Sequence, residues 1–338
     1  MTAQLLMSQD QVAADRDGWL KARHALITAS DVPAILGLAP KSWKRSAFSV
    51  YREKTDPEPP GDDDDEILEL GRYMEGWVAQ RFARRHPELW VTEGGLYADA
   101  DRPWLGCTFD RLAFEHSAVS PAEVAWPPQV VQCKTAGWRN PLHWGPPGTA
   151  HIPRYYRPQC LIELHVAGAE RVWVPTMFHD TREVAVYLLT RDADAQDDID
   201  WILGELDSFR ARVEARNEPD IDWSAGTAEA ITRRFGGQVD DRNVEVPWGL
   251  ARRYRRAVAG ADRAEERLGL AANLLRERLG TGRRAVDKDG VSLAVRSVSA
   301  PKRIDAGRLR EEQPEIAARY TKAGKQIDKI VPSRGAWD

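Results

Sequence analysis

The sequence is poor in cysteine, with Cys107, Cys133 and Cys160 the only three among 338 residues. They are too few and too scattered for a disulfide framework or an all-thiolate metal site, so a reduced, intracellular compartment is expected. No stretch approaches the roughly 18 consecutive apolar residues of a membrane span, which excludes a helical membrane protein. The N-terminal MTAQLLMSQDQVAADRDGW lacks a basic start followed by an apolar run, so no secretory signal is expected. Internal repeats are absent. Overall positive charge is absent too, and a net charge of −4 excludes a uniformly basic coat on nucleic acid.

What is present is an ordinary globular composition, 42% hydrophobic and 30% charged, on a chain long enough for two or three domains. The charge is unevenly placed. Residues 247–338 hold 21 Lys and Arg against 12 Asp and Glu, a balance of +9, which leaves −13 for the remainder. An acidic body with a basic tail points to an anionic partner for one end.

Along the chain, WLKARHALITASDVPAILG reads as an approach segment and a short helix, with Thr28 and Ser30 as candidate caps and Asp31 in the first turn. A helix is expected over 46–54, then a solvated acidic loop, DPEPPGDDDDE. In 66–85, Ile67, Leu70, Met74, Val78 and Phe82 form one apolar helical stripe, with Glu75 at its edge. Strands are expected over 90–98, 104–115, 129–135, 171–178 and 183–190, and helices over 154–167 and 197–216. That order describes an α/β (α+β) core with a mixed sheet, not a regularly alternating doubly wound one. The domain expectation is a core over 1–220, a linker over 221–246 and a basic helical extension over 247–338. In the extension Leu250, Tyr254, Ala257, Ala261, Ala264, Leu268, Ala271, Leu275 and Leu279 make a heptad-like seam. A two-stranded piece around Lys288-Asp289-Gly290 and a final basic helix complete it. Either a coiled coil or a helix docked on its own domain fits the seam.

The run VVQCKTA carries the chemistry. On a strand, Gln132 and Lys134 share one face and Cys133 takes the other. Asp110 lies on the preceding strand, Glu75 on a helix before it, and Gln159 on the helix after it. Such oxygen donors beside an ammonium suit metal-dependent phosphodiester hydrolysis, because hard Mg²⁺ or Mn²⁺ prefers carboxylate and carbonyl oxygens. Each residue alone is unremarkable; the order carries the signal. Trp77 and Trp173 sit in apolar patterns and are expected in the core. Trp138, beside Arg139 in KTAGWRNPLHW, is a candidate for stacking on an unpaired base, with loop packing the plainer expectation. The cysteines, each near a candidate site residue, are expected as small buried hydrophobes.

These residues resemble the lambda-exonuclease or YqaJ-type viral recombinase branch of the PD-(D/E)XK nucleases over roughly 15–215. WLKARHALITASDV is similar to the family's W-x-x-x-R-x-x-x-I-T-A-S segment, and GRYMEGWVA to its G-x-x-x-E helix. LGCTFDRL corresponds to the S-P-D-G element, VVQCKT to the E-x-K strand and IPRYYRPQCLIELHV to the Y-x-x-Q helix. The resemblance implies a restriction-endonuclease-like core with a central mixed sheet flanked by helices. It implies an Mg²⁺-dependent exonuclease resecting double-stranded DNA from 5′ ends, encoded by a phage and acting in the bacterial cytoplasm. Glu75, Asp110, Gln132 and the carbonyl of Cys133 would hold metal, Lys134 would act on the water, and Gln159 would help place Lys134 or the phosphate. Arg23, Thr28 and Ser30 fall where the family receives a 5′-phosphate. A homo-oligomeric ring and a single-strand annealing partner are further implications. An iron–sulfur cluster is excluded, since four cysteines are needed.

Two departures stand out. The S-P-D-G element keeps only its Asp, in Thr108-Phe109-Asp110-Arg111, and Gln132 replaces the Glu of E-x-K, removing a formal charge. Glu163, one turn beyond Gln159, is a candidate for restoring that charge, although a surface helix glutamate is the plainer expectation. Two alternatives stay open: a nuclease-inactive DNA-binding module, and an endonuclease of the same superfamily.

Overall fold

Alternating apolar residues build the centre of the molecule as a mixed sheet. The computed structural model describes residues 3–56, 66–116, 126–137, 142–236, 239–300, 302, 304–322 and 328–333, and side chains in the helix from 66 are described from residue 69 onward. The acidic run after Asp56 and the pair Trp138 and Arg139 lie outside the described residues, as does the Ile67 side chain. Two units follow one another along the chain, Met1–Gly236 and Gly237–Asp338.

In the first unit β3 (Leu89–Ala98) and β4 (Leu105–Glu115) form a long antiparallel pair. β1 (Gln4–Ser8) extends the sheet antiparallel to β3, and β2 (Ile27–Thr28) lies parallel beside the first residues of β4. β5 (Gln129–Val131) pairs antiparallel with β4 and parallel with β7 (Arg171–Phe178). β6 (Lys134–Ala136) continues along β7, and β8 (Val184–Thr190) runs antiparallel to β7. The single strand expected over 129–135 is therefore two, parted at Gln132 and Cys133.

Helices cover both faces. β1 leads into α1 (Gln9–Ala14) and α2 (Arg16–Ala25), and the segment from Trp19 expected as an approach is the later part of α2. Ser8 and Gln11 close a capping box on α1, and Asp15 accepts the Gly18 N–H to cap α2. α3 (Val32–Ile35) and α4 (Ala47–Thr55) follow. α5 (Glu66–Arg85) lays Val78, Ala79 and Phe82 on Val131, Cys133 and Met177. Trp77, expected in the core, is 41% exposed instead. It sits about 100° round the helix from Val78, outside the stripe, and Arg81 stacks on its ring. Trp173 is half-buried against Phe82.

On the other face α6 (Arg157–Ala167) packs Leu161, Ile162 and Leu164 into a core with Phe109, Val130 and Val174. α7 (Ala193–Glu214) adds Ile199, Ile202 and Leu206 to it. Each such side chain contributes about 1.5–3 kcal/mol on burial. The 221–246 stretch expected as a linker contains α8 (Ala225–Arg234), capped by Ser224 and held to the start of α4 by a 2.8 Å bond between Thr227 and Ser46. A Cβ on Gly226 would stand 2.4 Å from the Lys44 carbonyl oxygen, so only glycine permits that approach.

The second unit opens with α9 (Trp248–Leu279), one 32-residue helix bearing the whole seam. A hairpin of β9 (Arg284–Val286) and β10 (Ser292–Val295) follows, with Gly290 at φ +80° in its turn. The expected final helix is two short ones, α10 (Ala306–Glu312) and α11 (Pro314–Arg319). Pro314 lacks the N–H needed to continue a helix and restricts Gln313 before it. Among the described residues no helix is long and apolar enough to cross a membrane.

Candidate active site

Pairing between β4 and β5 reaches Val131 and Arg111 and extends no further. Beyond that point the strands part, and the backbone N–H of Cys133 donates to Oδ2 of Asp110 at 2.8 Å in place of a sheet partner. Opposite Asp110, β3 passes so close that a Cβ on Gly94 would lie 2.0 Å from the Phe109 carbonyl oxygen. Lys134, first residue of β6, faces α6: its Nζ donates to Oε1 of Gln159 at 3.1 Å and lies 5.1 Å from the Tyr156 ring centre. Gln159 Nε2 in turn donates to Oε1 of Glu163 at 2.8 Å, one helical turn on. Cys133 carries its thiol to the opposite, α5-side core, as strand alternation requires.

Gln132 is buried. Its backbone N–H donates to the Trp173 carbonyl at 2.8 Å, while its side-chain Oε1 has no partner. Glu75, on α5, pairs with Arg111 at 3.0 Å, and Arg111 also pairs with Glu93 at 3.1 Å and donates to the Asp110 carbonyl oxygen. Where the resembled family has glycine, this chain places a guanidinium between two glutamates.

Burial and the neighbouring Glu75 push Asp110 well above the usual carboxylate range, against the opposing pull of Lys134. For Lys134 burial acts downward, but Asp110 and Glu163 outweigh it and the ammonium is held above its ordinary value. Lys134 is thus a cation here, suited to donating and polarising and not to abstracting a proton. Glu163 is raised by burial to about 7, with Lys134 and Gln159 offsetting part of the effect. Burial also raises the three thiols. All three are free and buried, packed as small apolar groups.

A second cluster gathers Arg23, Thr28 and Ser30. Arg23 Nη2 donates to Ser30 Oγ at 2.9 Å, the two hydroxyls of Thr28 and Ser30 stand 3.0 Å apart, and the guanidinium lies over the Trp19 ring. Beneath them Asp31 is fully buried. Burial opposes its charge, yet Lys54 at 3.1 Å, Arg45 at 2.9 Å, Arg23 and the Thr28 N–H hold it far below the usual range. The result is a braced, cation-rich corner in which the half-buried Arg23 and Ser30, with the buried Thr28 hydroxyl behind them, make a set that suits phosphate oxygens.

Of the expected residues, Asp110 is hydrogen-bonded to Cys133 and Lys134 to Gln159, the two pairs linked through the Cys133–Lys134 peptide. Glu75 joins them through Arg111 and its field on Asp110, and Gln132 stands buried between Val131 and Cys133. Three further residues take part, of which the sequence offered Glu163 as a candidate while expecting it on the surface. Glu163 is 1% exposed, not a surface residue. Its signal was available: RPQCLIELHVA spreads apolar residues around most of its circumference, which marks a largely buried helix. Tyr156 stands at the Tyr of the Y-x-x-Q pattern, whereas Arg111 had no sequence signal beyond adjacency to Asp110.

Among the described residues no group of three or more His, Cys, Asp and Glu stands ready for a metal ion. The donors are two carboxylates and an amide. They fit a hard divalent cation on two observations: Gln132 Oε1 is a buried acceptor without a partner, and Asp110 is crowded by Glu75 in a way a cation would relieve.

None of the curated protein sequences matches the chain. Among solved structures, an alkaline exonuclease from Laribacter hongkongensis shares 16% identity, with 65% of this chain and 98% of that one covered at a TM-score of 0.43. The same protein in complex with dAMP gives 16% identity, the same coverage and a TM-score of 0.44. A phage-related exonuclease from Haemophilus somnus 129PT gives 9% identity, 59% and 99% coverage, and a TM-score of 0.37. One family pattern, that of the YqaJ-like viral recombinase domain, matches residues 18–170, a span that holds the strand parting, Lys134, its α6 partners and the Arg23 corner.

Proposed function

We propose that the chain is a divalent-metal-dependent exonuclease on double-stranded DNA, using Mg²⁺ or Mn²⁺ and resecting from 5′ ends in phage-type recombination. The observation that carries this is the strand parting, where Asp110 is fixed by the Cys133 N–H and Lys134 by Gln159. Asp110, Glu75, Gln132 and the carbonyl of Cys133 would hold the cation. When bound it would stabilise charge on the attacking and leaving oxygens of the phosphodiester. Lys134 donates to the attacking water from a fixed position and polarises it. Gln159 holds one ammonium proton so that the others point away from α6. Arg23, Thr28 and Ser30 take the terminal 5′-phosphate, with Asp31 bracing them from below. Trp138 and Arg139 would contact DNA beside the site, and the 247–338 extension would add DNA contact or dock a partner. A homo-oligomeric ring, a single-strand annealing partner and a bacterial cytoplasmic setting belong to the same proposal.

The test is digestion of end-labelled linear duplex with and without Mg²⁺, comparing 5′-phosphate with 5′-hydroxyl ends, alongside closed circular duplex. Metal-dependent loss of the linear substrate, faster from 5′-phosphate, is expected. Cutting of the closed circle would identify an endonuclease. Binding without cleavage in Mg²⁺ or Mn²⁺ would identify an inert DNA-binding module, a reading favoured by Gln132 alone.

Gln132→Glu restores the formal charge of the E-x-K pattern. The Mg²⁺ concentration for half-maximal cleavage is expected to fall by about tenfold, on the scale of one added charged group beside the metal. An unchanged metal titration would remove Gln132 from the ligand set.

A further inference from the structure

We propose that Glu163 is a positioning residue of the cleavage centre, fixing which end of the Gln159 side-chain amide faces Lys134. The inference rests on the nuclease reading above. A glutamine amide has a donor end and an acceptor end, and rotation by half a turn exchanges them. Between two neutral neighbours both orientations are open. Gln159 sits instead between an ammonium 3.1 Å from its Oε1 and a carboxyl oxygen 2.8 Å from its Nε2. The flipped amide would set NH₂ against NH₃⁺ and oxygen against oxygen, two clashes of like polarity. Glu163 thereby directs one of the three Lys134 protons into Gln159 and leaves the other two for the side of Asp110. Either protonation state of Glu163 serves, because an added proton takes Oε2, the buried atom without a partner.

The placement is specific to these residues. Gln159 and Glu163 lie one turn apart on one face of α6, and both are buried, at 9% and 1% exposure. An apolar residue would pack at the Glu163 position with no charge to desolvate, so a carboxyl there burdens the fold and gains only through its partner. The chain also lacks the usual acid of the E-x-K strand, so the negative charge behind Lys134 comes from Asp110 and Glu163.

The experiment is a double-mutant cycle on metal-dependent cleavage of linear duplex, with kcat and KM measured separately. Glu163→Gln is isosteric and can turn either end of its own amide to Gln159, so it removes one of the two clashes and leaves Lys134 alone to orient that amide. It is expected to lower kcat by about 10–100-fold, the usual scale for a residue that orients a ligand or catalytic group, with KM for DNA unchanged. In a Gln159→Leu background the same substitution is expected to change kcat by less than about threefold, because there is no amide left to orient. Glu163→Met gives the same comparison should Glu163→Gln not fold. Equal losses in both backgrounds would reduce Glu163 to a packing residue and overturn the inference, as would full kcat in Glu163→Gln. A wild-type chain that cuts nothing overturns the nuclease reading and this inference with it. A wild-type chain that cuts while Glu163→Gln cuts equally well overturns the inference alone.

Discussion

Asp110→Asn is expected to yield a folded, DNA-binding protein whose metal-dependent cleavage is lower by about 10³-fold, equivalent to about 4 kcal/mol of lost transition-state stabilisation. The fold should survive because the Asn carbonyl oxygen still accepts the Cys133 N–H that Asp110 Oδ2 accepts. Burial and Glu75 already oppose a charge at this position, so a neutral amide removes a desolvation cost. Chemistry suffers for the same reason that stability does not: the amide brings no charge to a cation. The measurement is single-turnover digestion of end-labelled duplex, with DNA binding and thermal melting in parallel. Retention of a tenth of wild-type cleavage by a folded variant would take Asp110 out of the metal site.

The second large effect concerns stability against pH. Glu163 is raised by burial from the usual value of 4.5 to about 7. A carboxyl whose folded pKa lies above its unfolded pKa holds its proton longer in the native state. Its cost is therefore absent below about pH 4.5, grows between 4.5 and 7, and is complete above 7. At full extent it amounts to about 3 kcal/mol. Glu163→Gln should then match wild type near pH 4.5 and be more stable by on the order of 5–10 °C in melting temperature at pH 8.5, measured without divalent metal. The same substitution is expected to slow cleavage, so stability and rate should move in opposite directions. A constant difference in melting temperature from pH 5 to 8.5 would show that Glu163 does not titrate on folding.

How far the sequence reached can be judged residue by residue. Periodicity located the long elements where one face is buried: Val78 and Phe82 on α5, or Leu105, Cys107 and Phe109 on β4, repeat at the spacing their element dictates. The mixed sheet followed from the order of those runs. Local pattern failed where a third element decides. The side chain of Trp77 belongs to the same helix as Val78, and only the position of the sheet settles which of the two is covered. Glu163 was misjudged for the converse reason, because α7 supplies residues to the core around α6 and lies some thirty positions later in the chain. The interruption at Gln132 and Cys133 was hidden as well. VVQCKTA has unbroken strand character, and the gap is made by Asp110 and the Gly94 passage on neighbouring strands. Motif order, in contrast, depends little on packing, and Asp110, Lys134 and Gln159 came from order alone.

The parting of the strands after Val131 also sets a conflict between two uses of one proton. The Cys133 N–H serves either the ladder or the Asp110 carboxyl, never both. Substitutions that prolong β4–β5 pairing by one more rung would knit the sheet more tightly and leave the acid without its anchor. If the proposed nuclease reading holds, selection of this protein for heat resistance alone should therefore drift toward a sturdier but idle chain, unless the selection also demands that DNA be cut.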